Sequence, residues 1–149
     1  MIARFTVYGI SQPQGSKSAY IRGGRAVIVE GKGKEAREKF AGWRASIATA
    51  ARDWQIAQGG VALMNGPLSV AVTFYMPRPA SLAKRFLYPT KKPDTDKLFR
   101  LLADALTSVL IADDSMIISI SAHKRFAESE KPPRAEIIVE LLPALRGAA

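Results

Sequence analysis

Apolar and polar positions alternate over residues 2–9 (IARFTVYG), the period of a half-buried strand. Residues 18–30 (SAYIRGGRAVIVE) read as two short strands about Gly23-Gly24, a hairpin signal. Gly31 to Lys34 breaks that pattern. From Glu35 to about Ala57 the period changes. Phe40, Trp43, Ile47, Ala50 and Trp54 recur at three- and four-residue steps and predict a helix with one core-facing stripe. Its other face carries Arg37, Lys39, Arg44 and Arg52. A strand follows over 67–76 (PLSVAVTFYM). Residues 77–93 hold four prolines and five basic residues, which suits an exposed loop and no regular element. A second helix is expected from Asp94 to about Thr107, buried through Leu98, Leu101, Leu102, Ala105, Leu106 and Val109. Two strands close the pattern, near 115–125 and 135–142, and the tail 143–149 should fray. The order β-ββ-α-β-α-β-β predicts an α+β fold: one domain over 1–149, a mixed β-sheet with two main helices packed on it.

Composition narrows the function more than the fold. At 48% apolar and 23% charged, the 149-residue chain has an ordinary globular balance. It holds no cysteine and a single histidine, which excludes disulfides, thiolate catalysis and two-histidine metal motifs. The N-terminus lacks the apolar run of a secretory signal. The longest uncharged stretch, Trp54 to Pro77, is interrupted by glycines, Asn65 and Pro67, so no membrane partner is expected and a cytoplasmic location is the default. The unusual quantity is the net charge of +9, which points to a polyanion.

That charge is unevenly spread. Five of the six aspartates lie between residues 94 and 114: Asp94, Asp96, Asp104, Asp113 and Asp114. With Lys97 and Arg100 this window carries −3, so the rest carries +12. Clustered carboxylates repel one another, and a divalent cation relieves the repulsion. Hard cations such as Mg²⁺ take oxygen ligands, typically one or two carboxylates with water and phosphate. Asp94 and Asp96 at a helix start also fit ordinary capping, while Asp96, Arg100 and Asp104 share a polar side. Twelve helical residues advance about 18 Å. Asp113-Asp114 therefore meets Asp94 and Asp96 within one chain only if residues 108–113 run back along the helix.

Other constellations carry less. The segment from Gly9 to Ser18 has the spacing G-x₅-G-S-K-S, which is not the Walker pattern. A serine nucleophile would need His123, which sits on a strand as a surface or sheet residue. Phe86 and Tyr88, among Lys84, Arg85, Lys91 and Lys92, either stack nucleobases or pin their loop.

From Lys92 to Ser115 the sequence reads K-P-D-T-D-K-L-x₅-D-A-L-x₆-D-D-S, followed by a strand ending in Lys124-Arg125. This resembles the RusA-type crossover junction endodeoxyribonucleases, Holliday junction resolvases common in prophages. The likeness is specific across 91–125 and looser at YGISQPQGSK. It implies a homodimeric, Mg²⁺-dependent nuclease, with Mn²⁺ as a substitute and no small-molecule cofactor. Such an enzyme nicks four-way DNA junctions symmetrically in recombination and repair. On this resemblance Asp94, Asp96 and Asp114 occupy the metal-binding positions, with Asp113 adjacent. Two residues depart from it. Lys97 stands where the family usually has asparagine, and Arg100 where it usually has a catalytic lysine.

The DNA arms would then be held by Lys17, Arg22, Arg25, Lys84, Arg85, Lys91, Lys92, Lys124 and Arg125. Lys124 lies about 33 Å from Asp114 along a straight strand, which puts it far from its own chain's metal, on the DNA path or near the partner subunit. The departures at 97 and 100 motivate an alternative, a catalytically weakened or inactive DNA-binding relative. A basic RNA- or ribosome-associated protein is a third reading, and it has no use for the aspartates.

Overall fold

A computed structural model describes residues 1–15, 17–30 and 33–145, with backbone alone over 17–20 and 28–30. Strand β1 (Ile2–Tyr8) is followed by the hairpin β2 (Lys17–Arg22) and β3 (Arg25–Glu30). Helix α1 (Gly33–Ala57), strand β4 (Leu68–Met76), helix α2 (Thr95–Leu106) and strands β5 (Ile117–Phe126) and β6 (Arg134–Leu141) complete the order. A single 3₁₀ turn, Asp114–Met116, leads into β5. The main sheet has the order β1-β6-β4-β5, antiparallel except for the β4–β5 pair. This is the mixed sheet with two packed helices that the sequence pattern predicts.

Alternation decides which sheet face meets the helices. Leu68, Val70, Val72, Phe74 and Met76 of β4 are buried, as are Ala135, Ile137 and Val139 of β6. They form one core with Ala3 and Val7 of β1 and with both helices. The helices contribute unequally. In α2, Leu98, Phe99, Leu101, Leu102, Ala103, Ala105 and Leu106 are buried, so the stripe is wider than the leucine spacing alone suggests. In the much longer α1 only Trp43, Ile47 and Ala51 are buried, and its exposed side carries the Lys39–Glu35 ion pair at 2.9 Å. Burying a leucine-sized side chain stabilises by about 1.5–3 kcal/mol, so α2 anchors the fold for its length better than α1.

The hairpin is a separate two-stranded sheet. Gly23 and Gly24 both have positive φ, 60° and 74°, as a two-residue hairpin turn of the type I′ class requires. Gly9 ends β1 at φ 133°, and a Cβ there would sit 3.2 Å from the Trp43 ring. Glycine therefore lets the chain turn closely over α1 towards the next loop. Of the expected frayed tail, Pro143, Ala144 and Leu145 are exposed; residues 146–149 lie outside the described residues.

Candidate nuclease site

Asp94 is the N-cap residue of α2, yet its side chain makes no capping hydrogen bond. The capping explanation of this aspartate therefore fails, and its carboxylate stays available. Lys97 lies one turn on, with Nζ 3.5 Å from Asp94 Oδ2 and both side chains partly exposed. Asp96 and Arg100 are exposed on the same helix. Two carboxylates thus stand at the helix end where the macrodipole is positive, with Lys97 beside them and Arg100 a turn further along.

The loop before α2 is held from two sides. Lys124 Nζ donates to the carbonyls of Lys91 at 2.7 Å and Pro93 at 2.8 Å. Arg78 donates to Phe86 O and Ala83 O, each at 2.8 Å, and its guanidinium lies 4.8 Å from the centre of the Phe126 ring. From the other side, the Gln14 amide donates to Lys97 O at 3.0 Å, so the segment after β1 crosses the first turn of α2. Between these segments lies a groove of about 1500 Å³. Its walls include Ile10, Leu82, Phe86, Leu87 and Tyr88, and Arg85, Lys91, Lys92, Lys97 and Lys124 reach it beside Asp94. Phe86, Leu87 and Tyr88 are 48%, 70% and 59% exposed. The aromatics therefore do not pin the loop; Arg78 and Lys124 do.

Asp113 and Asp114 stand elsewhere. After α2 the chain curls instead of running back. Ser108 takes φ 62°, its amide donates to Ile111 O at 2.8 Å, and the Leu110 and Ile111 amides donate to Leu106 O. Ala112 then donates to Met64 O at 3.0 Å. Asp113 Oδ1 accepts from the Ser115 amide at 2.8 Å, and the hydrogen bonds with Ser115 hold its carboxyl below the usual aspartate value. This pair precedes the first residue of β5, whereas Lys124, near the last, reaches the peptide before Asp94. The span from Ile117 to Lys124 is about 23 Å. The two carboxylate pairs therefore occupy opposite ends of α2 and β5. Among the described residues no group of three or more metal-ligating side chains forms within one chain.

The basic residues also separate. Lys124 stands a strand's length from Asp114, as the straight-strand arithmetic has it, but not far from Asp94: β5 runs towards the start of α2 and the ammonium secures the loop there. Arg125 pairs with Tyr75 in the row that faces away from the helices. Arg22 and Arg25 flank the hairpin turn and are exposed. Lys84 is exposed on the loop beside the groove, and the side chain of Lys17 lies outside the described residues. His123 is exposed on the open sheet face, with Nε2 3.2 Å from Ser121 Oγ. Sequence reasoning missed Arg134. Only 4% exposed, it stacks 3.9 Å from the Tyr75 ring centre and pairs with Glu128 at 3.0 Å and Glu136 at 3.3 Å. Its guanidinium holds the Glu128 carboxyl below the ordinary glutamate value.

A family model described as endodeoxyribonuclease RusA matches residues 16–140. The chain belongs to the RusA endodeoxyribonuclease family. The match runs from the hairpin to β6 and includes both carboxylate pairs. The chain is also similar to the uncharacterized protein YqaN of Bacillus subtilis (strain 168). The two are 30% identical over 152 residues, covering 95% of this chain and 97% of that protein. RusA-family membership supports nuclease chemistry on DNA, of the class associated with Holliday junctions, and divalent-metal dependence is general in the family. Among the described residues no helix is long and apolar enough to cross a membrane.

Proposed function

We propose that the protein is a Mg²⁺-dependent endonuclease that resolves four-way DNA junctions by paired symmetric nicks in recombination and repair. The observation that carries this reading is Asp94, which has no side-chain cap, lines a basic and aromatic groove and has Asp96 exposed two residues on. The donor set suits the ion, because aspartate oxygens that are partly open to water match the preference of Mg²⁺ for carboxylates plus retained waters. Bound there, the ion would supply an activated water and offset charge on the leaving oxygen. Asp94 and Asp96 would hold it, and Asp113 and Asp114, at the opposite end of α2, do not join them within one chain. Lys97 and Arg100 would offset charge on the phosphoryl oxygens, and Arg100 would do so without giving a proton, since guanidinium stays charged at neutral pH. The exposed Phe86 and Tyr88 offer faces on which bases unstacked at the junction could rest. Lys84, Arg85, Lys91 and Lys92 would track the backbone of one arm, and the compartment that suits this substrate is the cytoplasm.

The test is a synthetic four-way junction incubated with and without Mg²⁺, with the cut positions mapped. Matched nicks on opposing strands are expected with the ion. Asp96→Asn should lower nicking at least about 100-fold while binding holds or tightens, because a negative charge near phosphate is lost. A variant that nicks at the parental rate would remove Asp96 from the site. The ion pair between Lys97 and Asp94 favours a second reading, a DNA-binding relative with weakened activity, since the ammonium competes for a ligand oxygen. Junction binding without nicks across several divalent metals would select that reading.

A further inference from the structure

We propose that the hairpin β2–β3 is a two-stranded ribbon that enters the major groove of a duplex arm about six base pairs from the cut, with Arg22 and Arg25 on the phosphates of that groove. The inference rests on the reading of the protein as a DNA nuclease and adds a second hold on the substrate, away from the carboxylates.

The hairpin stands by itself. It forms a sheet separate from the main one, and each of its strands is six residues long. A lone two-stranded hairpin is at best marginally stable in water. Residues 21–26 are all exposed, so nothing in the described fold covers the tip. Arg22 and Arg25 are paired directly across the turn. Like charges set opposite each other destabilise a hairpin. The chain has no carboxylate side chain before Glu30, which stands opposite Lys17 at the far end of the ribbon. An anion from outside removes the cost of the arginine pair.

Shape selects duplex DNA as that anion. The turn is Gly23-Gly24, and a Cβ on either glycine would meet nothing within 4 Å, so the tip is slim and open. Two strands set their backbones about 5 Å apart. The major groove, about 12 Å wide, admits a ribbon of this kind. Side chains alternate along a strand, so Arg22 and Arg25 share one face and Ile21 and Ala26 the other. With the arginine face against the DNA, the two guanidinium groups splay to phosphates on the two rims of the groove.

Position ties the ribbon to the candidate site. The Gln14 amide donates to Lys97 O at 3.0 Å, just before β2 begins at Lys17. The root of the hairpin therefore stands at the first turn of α2, beside Asp94 and Asp96. Six strand residues reach about 20 Å from there, the length of about six base pairs. The tip and the carboxylates thus hold different phosphates.

Dimethyl sulfate methylates guanine N7, which lies in the major groove, and so reports this contact. A synthetic four-way junction with guanines along each arm would be probed without Mg²⁺, and the cut mapped separately with it. The parent should shield N7 at about six base pairs from the cut. Arg22→Ala combined with Arg25→Ala should lose that shielding and bind at least about tenfold more weakly, with the circular dichroism of the parent. Ile21→Ser, on the opposite face, should keep the shielding. Equal shielding in the parent and the double variant overturns the ribbon contact, as does weaker binding by the double variant when the parent shields no N7 there. Loss in Ile21→Ser as complete as in the double variant overturns the placing of the arginine face on the DNA. Vesicles of anionic phospholipid offer the rival surface. Vesicle binding that needs both arginines, with junction affinity unchanged in the double variant, overturns DNA as the occupant. If the wild type nicks nothing while the arginine-dependent shielding persists, the nuclease reading fails and the ribbon contact stands.

Discussion

Asp94 and Lys97 show how one side chain alters the use of its neighbour. Asp94 makes no side-chain cap, and its nearest cation is Lys97, 3.5 Å away and 37% exposed. A pair this open to water is worth about 0–1 kcal/mol. Lys97→Asn removes a positive charge that repels a cation and frees an Asp94 oxygen. Mg²⁺ affinity, followed by titration calorimetry on the protein alone, should then rise about two- to fivefold, the equivalent of about 0.5–1 kcal/mol. Unchanged affinity would mean that Asp94 is not a ligand. The aspartates themselves were legible in the sequence, because Asp94, Thr95 and Asp96 follow a proline at a helix start. Arg134 and Arg78 were not. Arg134 occupies what reads as a surface position of a strand, and only the approach of Tyr75 from β4 and of Glu128 from the preceding loop buries it. Arg78 organises a loop through two carbonyls, and backbone acceptors leave no mark in composition.

The second helix was readable over nearly its whole length, since its leucines repeat at helical spacing, but what happens at its ends was not. At the C-terminal end Ser108 adopts a left-handed conformation that no glycine announces, and this single residue curls the chain away from the path back along the helix. At the N-terminal end the chain is fixed by Lys124, thirty residues downstream of Asp94. Distance along a strand says nothing about which element that strand passes, and so the sequence could not reveal this contact. A charge-assisted hydrogen bond typically contributes about 1.5–3 kcal/mol, and Lys124 makes two to the backbone just before Asp94. Lys124→Met should therefore speed amide exchange over residues 90–96 at least about tenfold without changing exchange in β6. Nicking should fall along with it, because the loop no longer sets Asp94 on the groove. Equal exchange in parent and variant would show that the ammonium does not hold the loop.

A net charge of +9 says little until the fold distributes it. Seven of the 22 basic residues, each a candidate for DNA contact, fall in three separate places. Lys84, Arg85, Lys91 and Lys92 line or border the groove, Arg22 and Arg25 sit at the tip of a hairpin outside the main sheet, and Arg125 is on the open face. If the junction arm lies in the groove and reaches the hairpin, six cations meet phosphate. Each neutralised phosphate contributes about −0.9 to the slope of log affinity against log salt, so the parent should show a slope of about −5. Changing both Arg22 and Arg25 to alanine should bring it up by about 2 and weaken binding at low salt. Arg125→Ala should leave it unchanged, although it removes the same unit of charge as any one of the six. A surface that attracted DNA by net charge alone would respond to all of these substitutions in proportion to the charge removed. Equal effects per charge at Arg125 and at the hairpin would therefore disprove the path through the groove, even with junction binding intact.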